Sequence, residues 1–60
     1  MEVLKGKEIK IARIKAGITQ AKLAKEINVS VPHLSYVESG KRESYKVRVL
    51  ATEFFNKKES

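Results

Sequence analysis

The chain contains no cysteine and only one proline among its 60 residues. The absence of cysteine excludes a disulfide and a thiolate metal site, so neither can stabilise so short a chain. A domain of this length buries only roughly 60% of the surface that its unfolded chain exposes. Its core must therefore come from packed apolar side chains or from association with another chain.

The sequence also lacks long hydrophobic segments. No apolar run approaches the ~18 residues of a membrane span, and the N-terminus has no run of the length found in signal peptides. We therefore expect a cytoplasmic protein that has no membrane partner.

Catalytic motifs are missing as well. The sequence has no Gly-rich phosphate loop and no paired acids at matching helical spacing. Its single histidine, His33, cannot form a metal site alone. We expect no enzymatic activity, no cofactor, no metal and no small-molecule substrate.

Positive charge is in excess. Thirteen Lys and Arg residues against seven Asp and Glu residues give a formal net charge of +6 and a pI near 9.9. This balance favours polyanionic partners such as nucleic acid. A well-solvated surface with surplus lysine would have the same balance, so charge alone leaves both interpretations open.

The sequence predicts four helices, because apolar residues recur at helical spacing between the glycines and the single proline. The helices span about residues 4–16, 20–27, 31–39 and 45–55, and a polar tail follows over 56–60. A hydroxyl side chain that can cap the helix precedes each of the last three: Thr19, Ser30 and Ser44. The predicted inward faces of the first and last helices are Ile9, Ala12, Arg13 and Ala16, and Val47, Leu50, Ala51 and Phe54.

The second and third predicted helices have the spacing of a helix-turn-helix unit, in which two helices cross steeply after a turn of three or four residues. Ala24 supplies the small residue that the crossing needs. Asn28, four positions later, suits the positive φ of the turn. Apolar residues that can clamp the two helices together are Leu23, Ile27, Val29, Leu34 and Val37.

The sequence resembles the Cro/C1-type, or XRE, helix-turn-helix family, which includes lambdoid phage repressors. The matching residues are Arg13, Gly17-Ile18-Thr19-Gln20, Leu23-Ala24, Ile27-Asn28-Val29-Ser30, Leu34-Ser35, Val37-Glu38 and Gly40-Lys41-Arg42. The resemblance implies an all-α, lambda-repressor-like bundle that forms one domain over 1–60, with the helix-turn-helix at about 19–39. The family usually has a glycine where Asn28 stands, and it usually has a fifth helix, which we do not expect in residues 1–60.

By this resemblance the protein binds double-stranded DNA as a transcriptional regulator, a repressor of phage or bacterial type, in the bacterial cytoplasm or nucleoid. The third helix enters the major groove, and its base-facing positions are Val31, Pro32, Ser35 and Tyr36. No Lys, Arg, Asn or Gln lies between Val29 and Gly40, so the strong bidentate base contacts are missing. Sequence readout would then use thymine methyl groups, hydroxyl groups and DNA shape.

The resemblance also implies contacts to DNA phosphates. Gln20, at the start of the second helix, matches the family's backbone anchor, and helix N-termini attract phosphate oxygens. Lys41 and Arg42 follow the third helix where the family contacts phosphate. The other phosphate candidates are Ser30, His33 and Ser39. For each residue the alternative is an ordinary solvent-exposed side chain.

Two further expectations concern packing. The residues that match Arg13 and Glu38 form a largely buried salt bridge in the family; the alternative is two separate surface charges. Phe54 and Phe55 lie about 100° apart on the last helical turn, so one of them is hard to bury in a monomer. We expect this end to form a homodimer or to bind a protein partner, and a twofold dimer would present its third helices about 34 Å apart.

Two alternatives remain open. The first helix could cover the exposed phenylalanine through Leu4, Ile11 or Ile14 and leave the chain monomeric. The fold could also serve a different class of function, as a protein-binding module such as an antirepressor or corepressor. The apolar face of the third helix, together with Ile11 and Ile14, is compatible with that function.

Overall fold

A computed structural model describes the backbone of residues 2–59 and the side chains of residues 2–57. Within these residues the chain is all-α, with four helices and no strand: α1 (Gly6–Lys15), α2 (Gln20–Glu26), α3 (Val31–Ser39) and α4 (Tyr45–Glu59). No helix of this part of the chain combines the length and the hydropathy needed to cross a membrane.

The three predicted caps are confirmed. The Thr19 hydroxyl accepts a hydrogen bond from the Lys22 amide, and the Ser30 hydroxyl accepts one from the His33 amide. The Ser44 hydroxyl accepts one from the Val47 amide. Each bond satisfies a first-turn amide that has no partner within its helix, so local sequence alone sets these helix starts.

Three residues with positive φ make the turns between the helices. Gly17 (φ 72°) follows α1, Asn28 (φ 60°) lies between α2 and α3, and Gly40 (φ 81°) follows α3. Asparagine is among the few residues with a side chain that tolerate this conformation, so the prediction for Asn28 is confirmed. The Val29 amide then donates to the Ala24 carbonyl at 2.9 Å, which closes the turn tightly.

The core lies where the four helices meet. Ala24 is 1% exposed at the helix crossing, where a larger side chain would separate α2 from α3. The other buried apolar residues are Ile9, Leu23, Ile27, Leu34, Val37, Val47, Ala51 and Phe55. The predicted α1 face is only partly correct, because Ala16 is exposed beyond the end of α1.

The inward face of α4 differs from the prediction. Val47, Ala51 and Phe55 are buried at successive i, i+4 positions, whereas Leu50 and Phe54 are only partly buried. The helix is therefore rotated toward the side that α1 and the N-terminal residues cover. It also continues to Glu59, so most of the predicted tail over 56–60 is helical, and residue 60 lies outside the described residues.

Residues 2–5 form an extended segment, where the sequence predicted a helix from about residue 4. The Leu4 amide donates to the Thr52 hydroxyl at 2.9 Å, and the Arg48 side chain donates to the Leu4 carbonyl at 2.9 Å. Two polar side chains of α4 thus hold this backbone in place of helical hydrogen bonds. The contacts join residues more than 40 positions apart, and local periodicity does not reveal them.

Gly6 permits a close approach of α1 to α3. A Cβ atom at this position would overlap the Val37 carbonyl oxygen and lie 2.9 Å from the Val37 carbonyl carbon. Both atoms belong to backbone, so neither can move away as a flexible side chain could. The absence of a side chain at Gly6 therefore sets the distance between these two helices.

We expect Gly6→Ala to lower the free energy of unfolding by about 1–3 kcal/mol, because α1 must move away from α3. In an unobstructed helix the same change would stabilise by about 0.5–1 kcal/mol. Urea unfolding followed by circular dichroism measures the difference. Gly17→Ala is the control, since its added methyl group has no neighbour within 4 Å and reports only backbone strain. A higher midpoint for Gly6→Ala would contradict the close approach.

Candidate nucleic-acid interface

The outer surface of α3 is available to a ligand. Pro32 and Tyr36 lie one helical turn apart on the side opposite the buried Leu34. Tyr36 is 49% exposed and Val31 is 40% exposed, while Ser35 is half-buried at the edge of the same surface. The four residues predicted to face the bases therefore share one side of α3. That side offers two hydroxyl groups and apolar area, with no amide or guanidinium group for base readout.

The segment that follows α3 is held by backbone hydrogen bonds. The Gly40 amide donates to the Val37 carbonyl at 3.2 Å, and the amides of Lys41 and Arg42 both donate to the Tyr36 carbonyl, at 3.0 and 3.2 Å. These amides are therefore unavailable to a phosphate. The side chains of Lys41 and Arg42 are exposed, so any phosphate contact from this segment must come from them.

The smaller polar candidates are partly engaged within the protein. The Ser30 oxygen accepts the capping bond from His33, which leaves the Ser30 hydroxyl hydrogen free to donate. Ser39 donates its hydroxyl hydrogen to the Tyr36 carbonyl at 3.2 Å, which leaves it no hydrogen for a phosphate oxygen. His33 is half-buried in a shallow groove near Lys46, at the start of α4. Ser39 is thus the weakest of the phosphate candidates.

Arg13 and Glu38 form a bidentate ion pair between α1 and α3. Arg13 Nε lies 2.9 Å from one Glu38 carboxylate oxygen, and Arg13 Nη2 lies 3.2 Å from the other. The side chains are 12% and 1% exposed, respectively. Arg13 Nη1 also donates to the Ile18 carbonyl at 3.1 Å, so the same guanidinium holds the turn after α1.

Gln20 belongs to this buried network. Its side-chain nitrogen donates to Glu38 Oε1 at 3.0 Å, and the side chain is half-buried. The sequence predicted Gln20 only as a surface anchor and did not suggest this contact, which joins α2 to the ion pair. Among the described residues, no buried side-chain nitrogen or oxygen lacks a hydrogen-bond partner. A buried charge pair is tolerated only when its hydrogen bonds are satisfied in this way.

The two phenylalanines do not form the exposed aromatic surface that was expected. Phe55 is only 8% exposed, and Phe54 packs against the core cluster. Their rings meet edge to face with centroids 5.3 Å apart. Phe55 is therefore buried within the monomer and Phe54 is partly buried, so neither ring is fully exposed. Association of this end with a second copy or with a protein partner stays a prediction.

Large apolar side chains are exposed elsewhere. Ile11 is 45% and Ile14 is 58% exposed on α1, and Ile11 lines a groove together with Phe55. Leu4 does pack against the core, from the extended N-terminal segment. In the part of the chain that the structure describes, no group of three His, Cys, Asp or Glu residues could hold a metal ion.

The fold is that of a helix-turn-helix protein. Its defining features are the tight crossing at Ala24, the left-handed turn at Asn28 and the free outer side of the third helix. The sequence model of the helix-turn-helix family of the Cro/C1 type matches residues 9–44, and the chain belongs to this family of DNA-binding transcription regulators. Comparison with curated proteins and with solved structures found no match.

We expect Arg13→Ala to destabilise the fold by ~3–5 kcal/mol, because it leaves the Glu38 carboxylate buried without its partner. Lys22→Ala is the matched control. It removes an exposed ion pair, Lys22–Glu26 at 3.2 Å, and should cost only about 0.3–0.5 kcal/mol. Thermal and urea unfolding of both variants test this. A loss for Arg13→Ala as small as that of the control would show that the pair does not hold the fold together.

Proposed function

We propose that the protein binds double-stranded DNA sequence-specifically and acts as a repressor of bacterial or phage type, by occupying operator DNA in the cytoplasm or nucleoid. The observation that carries the proposal is the free outer side of α3, which is followed directly by the exposed cations Lys41 and Arg42. A helix of this unit fits the major groove, and cations beside it can neutralise the flanking phosphates.

Affinity would come mainly from Lys41 and Arg42. Their backbone is fixed on the Tyr36 carbonyl, so little conformational entropy of the loop is lost when DNA binds. Each lysine or arginine that neutralises a phosphate releases counterions, which makes binding dependent on salt. Gln20 would add a neutral contact: one amide hydrogen is bound to Glu38, and the second can reach a phosphate oxygen.

Sequence preference would come from Val31, Pro32, Ser35 and Tyr36. Tyr36 is the largest exposed side chain of this set and can contact a thymine methyl group with its ring and a base edge with its hydroxyl. Because the set contains no bidentate donor, we expect modest discrimination that is supported by DNA shape. Ser30 and His33, at the start of α3, would contact the backbone at its edge.

The exposed Ile11 and Ile14 favour a second candidate, a protein-binding module such as an antirepressor or corepressor. A gel shift on random duplex DNA separates the two functions. Binding at low salt that weakens at moderate salt supports DNA as the ligand, whereas no binding at low salt supports the protein partner.

We expect Lys41→Ala to weaken binding to all duplexes by similar factors and to reduce the salt slope by about one unit. Gln20→Ala should weaken binding without changing the slope, since it removes no charge. Lys15→Ala is the control, because Lys15 lies at the end of α1, beside Phe55 and away from α3. Fluorescence anisotropy titrations over a salt series give the slopes. Equal slopes for Lys41→Ala and Lys15→Ala would remove Lys41 from the interface.

We expect Tyr36→Ala and Val31→Ala to change which sequences are selected from a random duplex library, because both side chains face the bases in this proposal. Overall affinity for random DNA should change less than it does in Lys41→Ala. Selection followed by sequencing, with Lys15→Ala again as control, reports the preference. An unchanged preference in Tyr36→Ala would mean that α3 does not read the sequence.

A further inference from the structure

The solvent side of α1 carries an apolar stripe that the core does not use. The stripe consists of Ile11 and Ile14, which lie at i and i+3 on the side opposite the fully buried Ile9. Ile11 and Ile14 are 45% and 58% exposed. Isolated exposed apolar residues are common on protein surfaces, but adjacent ones beside open grooves indicate a binding surface.

Two grooves flank this stripe, and Ile11 lines both of them. The first groove runs between α1 and the end of α3; Ile14 and Lys10 line one wall, and Arg42 lines the other. The second runs between α1 and α4, with Phe55 at its base. The isoleucines therefore form a ridge between two concave surfaces, which an amphipathic helix could straddle.

The first groove carries an excess of positive charge. Lys7, Lys10 and Arg42 line the first groove and Lys15 lines the second, and none of the four side chains makes an ion pair within the described residues.

The acidic residues of the first groove are already paired, Glu38 with Arg13 and Glu43 with Arg48. In the second groove Glu8 accepts the Lys5 amide and keeps its negative charge, which offsets that of Lys15. The surface is therefore apolar in the middle and cationic along the first groove, and its complement is an apolar surface with an acidic flank on that side.

We propose that this surface, the α1 stripe with its two grooves, binds an acidic amphipathic helix of a partner protein. A second copy of this chain fits poorly, because a twofold contact would bring together two copies of the same positively charged surface. DNA also fits poorly, since phosphates gain nothing from Ile11 and Ile14. A partner helix would bury both isoleucines and pair its acidic side chains with the surrounding cations.

Arg42 connects this surface to the DNA interface, because it lines the first groove and also follows α3. A partner helix that engages Arg42 removes one phosphate contact, so it lowers the affinity for DNA. This consequence rests on the proposed function, whereas the binding of the helix does not.

The test uses a synthetic peptide of roughly 16 residues, long enough to form a helix on binding, with leucine at i, i+3, i+4 and i+7 and glutamate beside the leucines. A second peptide carries lysine in place of each glutamate. Binding to the protein is followed without DNA, by fluorescence anisotropy and by amide chemical shifts. We expect the glutamate peptide to bind and to shift resonances of α1 and residues 39–43, and the lysine peptide not to bind.

Matched variants separate the apolar contribution from the charge. Ile14→Ser and Lys10→Glu should each weaken binding of the glutamate peptide roughly tenfold, the first through lost apolar burial without a change of charge and the second through reversed charge. The controls Tyr45→Ser and Lys25→Glu change an exposed aromatic and an exposed lysine outside both grooves and should have no effect. Equal binding of both peptides, chemical shifts confined to α3, or no binding of the glutamate peptide would overturn the proposal.

Two further measurements exclude other occupants. If the protein binds vesicles of anionic lipid and Ile14→Ser weakens that binding, the partner is a membrane and not a protein. If the protein dimerises and Ile14→Ser abolishes the dimer, the partner is a second copy; either result would overturn the proposal. Adding the glutamate peptide to a duplex titration should weaken DNA binding. If the protein binds no DNA at low salt, the proposed function fails, and the direct peptide measurement still decides this inference.

Discussion

The bidentate pair of Arg13 and Glu38 is the interaction on which the arrangement of the first three helices depends. It joins α1 to α3, Arg13 also holds the Ile18 carbonyl before α2, and Glu38 also holds the Gln20 side chain at the start of α2. In a chain of 60 residues the apolar core is small, and a satisfied polar network fixes relative positions that apolar contacts leave free to slide. Such a network fixes the arrangement of the helices more than it raises the free energy of unfolding, because two charged groups must lose their hydration to form it.

The same interactions fix the surface that faces outward. Glu38 and Val37 are held on the inner side of α3, so Tyr36 and Pro32 must point into solvent. The Tyr36 carbonyl then accepts the amides of Lys41 and Arg42, which ties both cations to the last turn of α3. Gly6 lets α1 approach the Val37 carbonyl from the other side. Together these contacts tie α3 to α1 and to the segment that follows it. If α3 reads DNA as proposed, such support would hold its register on the duplex.

Features that depend on neighbouring residues could be predicted from the sequence, and features that depend on packing could not. The caps at Thr19, Ser30 and Ser44 and the positive φ of Asn28 follow from the chemistry of single side chains. The rotation of α4 toward Phe55 depends on the extended segment at Leu4, whose partners Arg48 and Thr52 are distant in sequence. The bond from Gln20 to Glu38 was missed for the same reason, since no local signal marks an amide that turns inward. The prediction of the inward face of α4 failed because either Phe54 or Phe55 could have been the buried residue, and only tertiary contacts distinguish the two.

In the proposed DNA complex, affinity and specificity come from different sets of polar groups. The outer side of α3 carries no charge, while the nearest exposed cations lie just beyond the helix at Lys41 and Arg42. Phosphate contacts from such cations are nearly independent of sequence, and hydroxyl or methyl contacts discriminate weakly between bases. A small domain built in this way is therefore sensitive to anything that competes for its few cations. Because Arg42 faces both α3 and the apolar stripe on α1, an acidic partner could reduce DNA binding without touching the reading helix.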